Sequence, residues 1–415
     1  MLPARALFYA LLIALLIAML TAALVALTYF YQAELEDNLR EEQQIRNLRS
    51  GLALLLEDEA RSVAEQNRDL HGQNNDWLRL AKYPWGLFSV AWAETRPNPL
   101  APQRPALRKI ALVGESTNRS LLPALYLADR RSPLALSGFT TIRGDVLLPQ
   151  AGIKRGYVDG QGYLGDQLVY GSIQNSNSQI PELPIDALRQ ELNRLQFPRG
   201  TPSIPSPHYQ SFRDSTLYLR GPSLNLGQLD LSGRIVIQAT DSIYVGRETR
   251  LEDVILVAPT ILIEAGFEGS LQALATRKLV VGEAAFLRYP SVLGLIRSEA
   301  ALPNNINFLD IQSNAEIRGL VFVYSEVYSR TPERLVIQEG AIVKGQVVVG
   351  GNLELRGTVL GNVTCSQFVL RTPSSVYSNH LHNAVIDRPR LEPYYCGPFF
   401  YNRGAFPQKV AKWLE

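Results

Sequence analysis

The sequence predicts a mainly β protein carried on one long N-terminal α-helix. The expected order is a membrane and stem helix, a small α+β sheet region, and then a right-handed β-helix (β-solenoid). Three observations lead there. Residues Ala6–Phe30 carry no charged side chain. A helical pattern continues beyond them with no proline before Pro84. From Thr216 to about Ile386, short alternating strands are closed by glycine, asparagine or charged turns, as at Gly340, Gly345, Gly350, Gly357 and Gly361.

Composition sets the outer bounds. At 415 residues the chain has room for two or three domains, and 46% hydrophobic with 19% charged residues is the composition of a packed protein. Lys and Arg number 41 against 39 Asp and Glu, a formal charge of +2. That balance argues against a nucleic-acid partner, which needs a basic excess. Two cysteines and four histidines leave little for a metal cluster, and no cofactor-binding fingerprint or catalytic motif is present.

Ala6–Phe30 as a helix is about 37 Å long at 1.5 Å per residue, enough to cross a bilayer core of about 30 Å. Arg5 precedes the span, while Glu34, Glu36, Asp37, Glu41 and Glu42 follow it. Basic flanks stay cytoplasmic, so residues 1–5 form a cytoplasmic head, 6–30 the single span, and the body lies outside. Tyr29, Phe30 and Tyr31 read as an interfacial aromatic belt. Leu35, Leu39, Ile45, Leu48, Leu52, Leu55 and Val63 then recur near helical spacing, predicting a continuous rod to about Leu70 and an amphipathic stem over 31–75. Gly51 softens it.

An apolar N-terminal helix running into AELEDNLREEQQIRNLRSGLALLL and then a β body resembles type IV pilins and type II secretion pseudopilins, in particular their large minor or tip subunits. The resemblance covers about the first seventy residues. It implies lateral packing of the helix, through residues such as Ala6, Leu7, Phe8 and Phe30, against other helices of its kind. It also implies a processing junction between Arg5 and Ala6. Pilin precursors usually carry Gly before the junction and Glu at the fifth position after it; here those places hold Arg5 and Ala10.

Residues 76–200 are expected to form a pilin-like sheet and connecting region. It begins with an aromatic alternating strand around Trp85, Leu87, Phe88, Val90 and Trp92, followed by a proline-rich connection from Pro97 to Pro105. IDALRQELNRL reads as a surface helix with Asp186 as N-cap and Ile185, Leu188, Leu192 and Leu195 on its buried stripe. The loop RGTPSIPSPHYQS ends the region, and residues 201–386 are the solenoid, whose repeat style resembles bactofilins. Its core is a ladder of aliphatic residues including Ile342, Val347, Val349, Leu353, Leu355, Val359 and Val363. Residues 387–415 are expected to cap the last coil, with VAKWLE as a short helix.

Few groups offer chemistry. Cys365 and Cys396 form an even pair that in an oxidising compartment would staple cap to solenoid. His380 and His382 share one strand face but have no nearby third metal ligand, so no metal is expected. Asp230, Asp241, Glu252, Asp253 and Glu264 show no paired spacing for acid–base work. Tyr157, Tyr163 and Tyr170 sit among glycines, either as early β coils or as a contact surface.

The expected protein is therefore not an enzyme. It is a membrane-anchored structural or assembly component of the bacterial envelope. It would lie in the inner membrane with its body periplasmic or extracellular, and associate with itself or with other pilin-like proteins through the helix. The alternatives are a membrane-tethered β-helix enzyme or binding module acting on polysaccharide, and a periplasmic scaffold with no filament role.

Overall fold

The computed structural model describes residues 4–70, 77–95, 106–116, 122–181, 206–297, 307–325, 333–399 and 407–414. The helix expected over 185–195 lies outside the described residues. The chain is mainly β with one long N-terminal helix, α1 (Ala4–Glu57).

Helix α1 is shorter than the pattern of apolar residues predicts. The Asp58 carboxylate accepts the Ala60 N–H at 2.9 Å, an Asx turn that takes the backbone out of helical geometry. The chain then enters strand β1 (Val63–Asp69), which is polar and largely exposed. Strands β2 (Trp77–Trp85), β3 (Phe88–Thr95) and β4 (Arg108–Ser116) follow β1 in one sheet. Cys396–Gly397 and Gln408–Leu414 both pair antiparallel with β4. VAKWLE is thus not a helix. β4 offers an edge to which Val410–Leu414 bonds, with a register shift between Val410 and Lys412, and that pairing outweighs the local helix propensity.

The chain divides into two compact units. The first comprises Met1–Leu55, Val63–Ala81 and Trp92–Lys109. Within it Leu48, Leu52 and Leu55 are buried on one face of α1. Gly51 sits where a methyl group would press on Leu78 and Leu80, so its role is close approach of helix to sheet rather than softening. Opposite charges knit the strands: Glu94 binds Arg79 at 3.2 Å and Arg108 at 2.9 Å, and Arg108 lies over the Trp92 ring at 4.7 Å.

The second unit comprises Leu56–Ser62, Lys82–Ala91 and Ile110–Glu415. Its body is a closed set of mostly parallel strands whose inward residues stack in rows. One row runs Leu219, Ile237, Leu256, Ala273, Leu293, Val321, Val347, Val363, Leu125, Val146, each opposite the next across a parallel pair. A second runs Ile243, Ile261, Leu279, Leu309, Leu335, Leu353, Phe368. A third runs Leu287, Ile317, Val343, Val359, Ile386, Ile142. Single strands visit all three rows: Ile342–Leu355 supplies Val343, Val347 and Leu353, with a register shift between Val349 and Asn352 where it turns. These residues form one buried apolar core, and each except Ala273 is worth roughly 1.5–3 kcal/mol of transfer free energy.

Glycine is needed at one column. Gly319 and Gly345 have φ of +147° and +150° and lie opposite each other, with Gly361 next in register. A Cβ on Gly345 would overlap the Gly319 carbonyl oxygen, and one on Gly361 would overlap that of Gly345.

Two expectations about boundaries change. Leu125–Leu127, Thr141–Arg143 and Val146–Leu148 do not join the sheet of β1–β4. They stack on Thr358–Arg371 and on Val385–Asp387, which itself pairs with Thr358–Val359, and so extend the rows. The C-terminal segment therefore does not cover the last coil. It runs along the side, where the Tyr395 hydroxyl donates to the Gly319 carbonyl at 3.0 Å and the Tyr289 hydroxyl to the Cys396 carbonyl at 2.9 Å.

Candidate functional site

Every residue from Ala6 to Gln43 in α1 is exposed. Leu7, Phe8, Met19, Val25 and Phe30 each leave more than 60% of their surface uncovered. In water such a stripe is strongly unfavourable, so lipid or protein must cover it. The apolar helix is consistent with a single-pass membrane anchor. Arg5 and Ala6 both lie inside α1. One regularity escaped the sequence analysis: Ala6, Ala10, Ala14, Ala18, Ala22 and Ala26 recur every fourth residue. Small side chains at that spacing let another helix approach closely, and Ala18, Ala22 and Ala26 line a shallow groove with Val25 and Tyr29.

The candidate carboxylates are occupied by cations or backbone. Lys412 reaches Glu252 at 2.8 Å and Asp253 at 2.7 Å. Its ammonium holds the Glu252 carboxyl below its ordinary range, while burial pushes that of Asp253 up. Arg277 lies 3.4 Å from Asp241, Arg250 3.9 Å from Asp230, and Glu264 accepts the Arg247 N–H at 2.7 Å. Asp230 and Glu252 line an open groove together with Arg250, Glu268 and Arg288, where charges of both signs alternate.

The expected disulfide is absent: Cys365 and Cys396 are free and buried. Cys365 sits in the stacked core between Val349 and Leu127, whereas Cys396 lies in the sheet opposite Ser116. Burial pushes both thiols up. The pairing of residues by parity failed because the C-terminal segment follows the side of the stack, not its end.

His380 and His382 do not lie on an open face. Their strand pairs with Leu134–Ser137, and both rings converge on the Ser137 hydroxyl. Ser137 is fully buried, which removes it as a nucleophile. Among the described residues no three His, Cys, Asp or Glu side chains gather to hold a metal. Tyr163 and Tyr170 belong to the far end of the stack, bridging to Gly138 and Arg143, and Tyr157 and Tyr170 are exposed there. They are late layers in space although early in sequence.

Polar anchors inside the second unit were illegible in the sequence. At the tip of the β2–β3 hairpin the Leu87 N–H donates to Gln272 Oε1 and Gln272 Nε2 donates to the Trp85 carbonyl, both at 2.9 Å. The Trp85 indole N–H donates to the Asp253 carbonyl at 3.0 Å, and its ring meets Phe212 edge-on at 5.4 Å. Lys82 is buried and donates to the Asp58 carbonyl and to Gln408, each at 2.7 Å. Burial brings its ammonium down to about 8.

No family model matches the chain, and no curated protein matches it. Among solved structures, the competence-associated pilin ComZ from Thermus thermophilus is similar at 12% identity, over 85% of this chain and 87% of that one, with a TM-score of 0.23. A score so low carries no inference about fold or role. What the chain itself presents is an exposed apolar helix of membrane-spanning length joined to a large β body.

Proposed function

We propose that this protein is a membrane-anchored, pilin-like structural component of the bacterial cell envelope. The observation that carries the reading is α1: one unbroken helix, bare and apolar over Ala6–Phe30, then buried along Leu48, Leu52 and Leu55 in its own unit. A helix that only stabilised its own domain would bury its most apolar stretch. Here that stretch is the uncovered part. Arg5 before the span and the acidic residues after it orient the head to the cytoplasm and the body outward, in the inner membrane. The alanine repeat favours lateral packing with other helices of the same kind, as homo- or hetero-oligomers.

The second unit is, on this reading, a right-handed β-solenoid that presents a rigid surface to protein partners. Three aliphatic rows in parallel register and a stacked glycine column support it. A non-enzymatic role fits the ion-paired carboxylates.

The experiment places a photo-crosslinking residue at Leu16 in cells and identifies the adducts. Adducts with other apolar N-terminal helices support assembly through the membrane. Adducts with lipid alone would leave an anchored scaffold that does not assemble.

A further inference from the structure

The two histidines are part of a hydrogen-bonded chain that closes the stack at its far end. Strand His380–His382 pairs in parallel with Leu134–Ser137, which in turn pairs with Ile153–Arg155. This three-stranded seam joins segments about 245 residues apart and fastens the layers formed by residues 122–176 to the coil that ends near Asp387.

At its centre the Ser137 hydroxyl lies 2.9 Å from His380 Nε2 and 2.9 Å from His382 Nδ1. The far nitrogen of His382, Nε2, is 3.1 Å from the Asn383 amide nitrogen. Asn383 Oδ1 already accepts the Phe139 N–H at 2.9 Å, so the amide turns its NH2 toward the imidazole. One direction then satisfies every partner. Asn383 donates to His382 Nε2, His382 Nδ1–H donates to Ser137, and Ser137 donates to His380 Nε2.

In that direction the chain ends on the Nε2 lone pair of His380, so it needs His380 neutral. A proton on His380 Nε2 faces the Ser137 proton. The Ser137 hydroxyl then turns to the Leu381 carbonyl at 3.4 Å, a longer contact than the 2.9 Å one it gives up. The ionisable groups facing His380 add no compensation: Lys154 on the neighbouring strand is a cation, and Tyr377 meets His380 edge-on at 5.5 Å. His380 is 7% exposed, and burial, then His382 and Lys154, hold its imidazolium below the ordinary range.

We propose that the Ser137–His380–His382–Asn383 chain is a proton-sensitive clasp: closed at neutral pH, and opened on acidification to free the terminal layers from the rest of the stack. The sign follows from linkage. A histidine disfavoured as a cation when closed takes up its proton only on opening, so stability is lost as pH falls below about 6.5. With an open-state value of about 6.5, His380 makes opening more favourable at pH 5.5 than at pH 7.5 by up to about tenfold. The clasp is independent of the membrane reading, because it depends only on contacts inside the second unit.

Hydrogen exchange on the detergent-extracted full chain at pH 7.5 and 5.5, corrected for the intrinsic pH dependence, tests it. Peptides covering 134–137 and 376–387 should lose protection severalfold, up to about tenfold, on acidification, while Ile342–Leu355 keeps its own. His380→Gln and His382→Gln should each flatten that response. Equal protection at both pH values in the unmodified protein, which needs no variant to fold, overturns the clasp. So does an unchanged pH response in both variants.

Discussion

Gly345→Ala tests the stacked architecture most sharply among single substitutions. Gly345 has φ of +150°, a region that costs an L-residue roughly 1–3 kcal/mol. Its new methyl would also overlap the carbonyl oxygen of Gly319 one layer away and come within 2.9 Å of the Tyr395 hydroxyl. Layers bonded into a ladder sit about 4.8 Å apart, so the clash cannot be relieved without breaking bonds on both sides. The sum is a loss of more than about 3 kcal/mol. Gly152→Ala is the control: φ is +73° and nothing lies within 4 Å of the added methyl. It should cost only the backbone term, roughly 1–2 kcal/mol. Urea unfolding of the extracted protein, followed by tryptophan fluorescence, gives both values. A Gly345→Ala cost no greater than that of Gly152→Ala would refute the close stacking of layers at this column.

Three further outcomes are expected. Arg297 and Glu333 form a buried pair at 2.8 Å, each 4% exposed, so Glu333→Ala should destabilise by about 3–5 kcal/mol in the same unfolding experiment. Gln272→Ala removes both hydrogen bonds to the hairpin tip and leaves the Leu87 N–H and the Trp85 carbonyl unpaired, costing about 1–3 kcal/mol for each group stranded. Hydrogen exchange should show the loss at residues 82–91. The two buried thiols should resist maleimide in the native protein at pH 7.5 and react fully in urea, and the mobility on gels should not change with reductant.

The parts of the fold legible in the sequence are those set by local periodicity. The charge-free run announced α1, and Val347, Val349, Leu353, Val359 and Val363 announced a core ladder that the structure buries. The glycines between them read as turn closers, whereas Gly345 and Gly361 stand inside strands, where the close stacking of layers requires them. What failed was decided by single polar groups or by distant pairing. Asp58 ends α1 through one side-chain bond that competes with the helical pattern. Leu125 and Val146 continue the row begun by Leu219 because Val363 offers them an edge, although more than two hundred residues separate Leu125 from Val363. VAKWLE reads equally well as helix or strand until β4 is present to pair with it. Nothing in the sequence connects His380 and His382 with Ser137, the distant group that gathers them.

The central claim is that Ala6–Phe30 remains in the protein and sits in a bilayer. Alkaline carbonate extraction of cell envelopes, followed by intact mass and N-terminal sequence of the retained protein, addresses it directly. The expected result is a protein that stays with the membrane, begins at or before Ala6, and brings along partners with apolar N-terminal helices. A soluble protein whose first residue lies beyond Phe30 would contradict membrane anchoring and, with it, the pilin-like role.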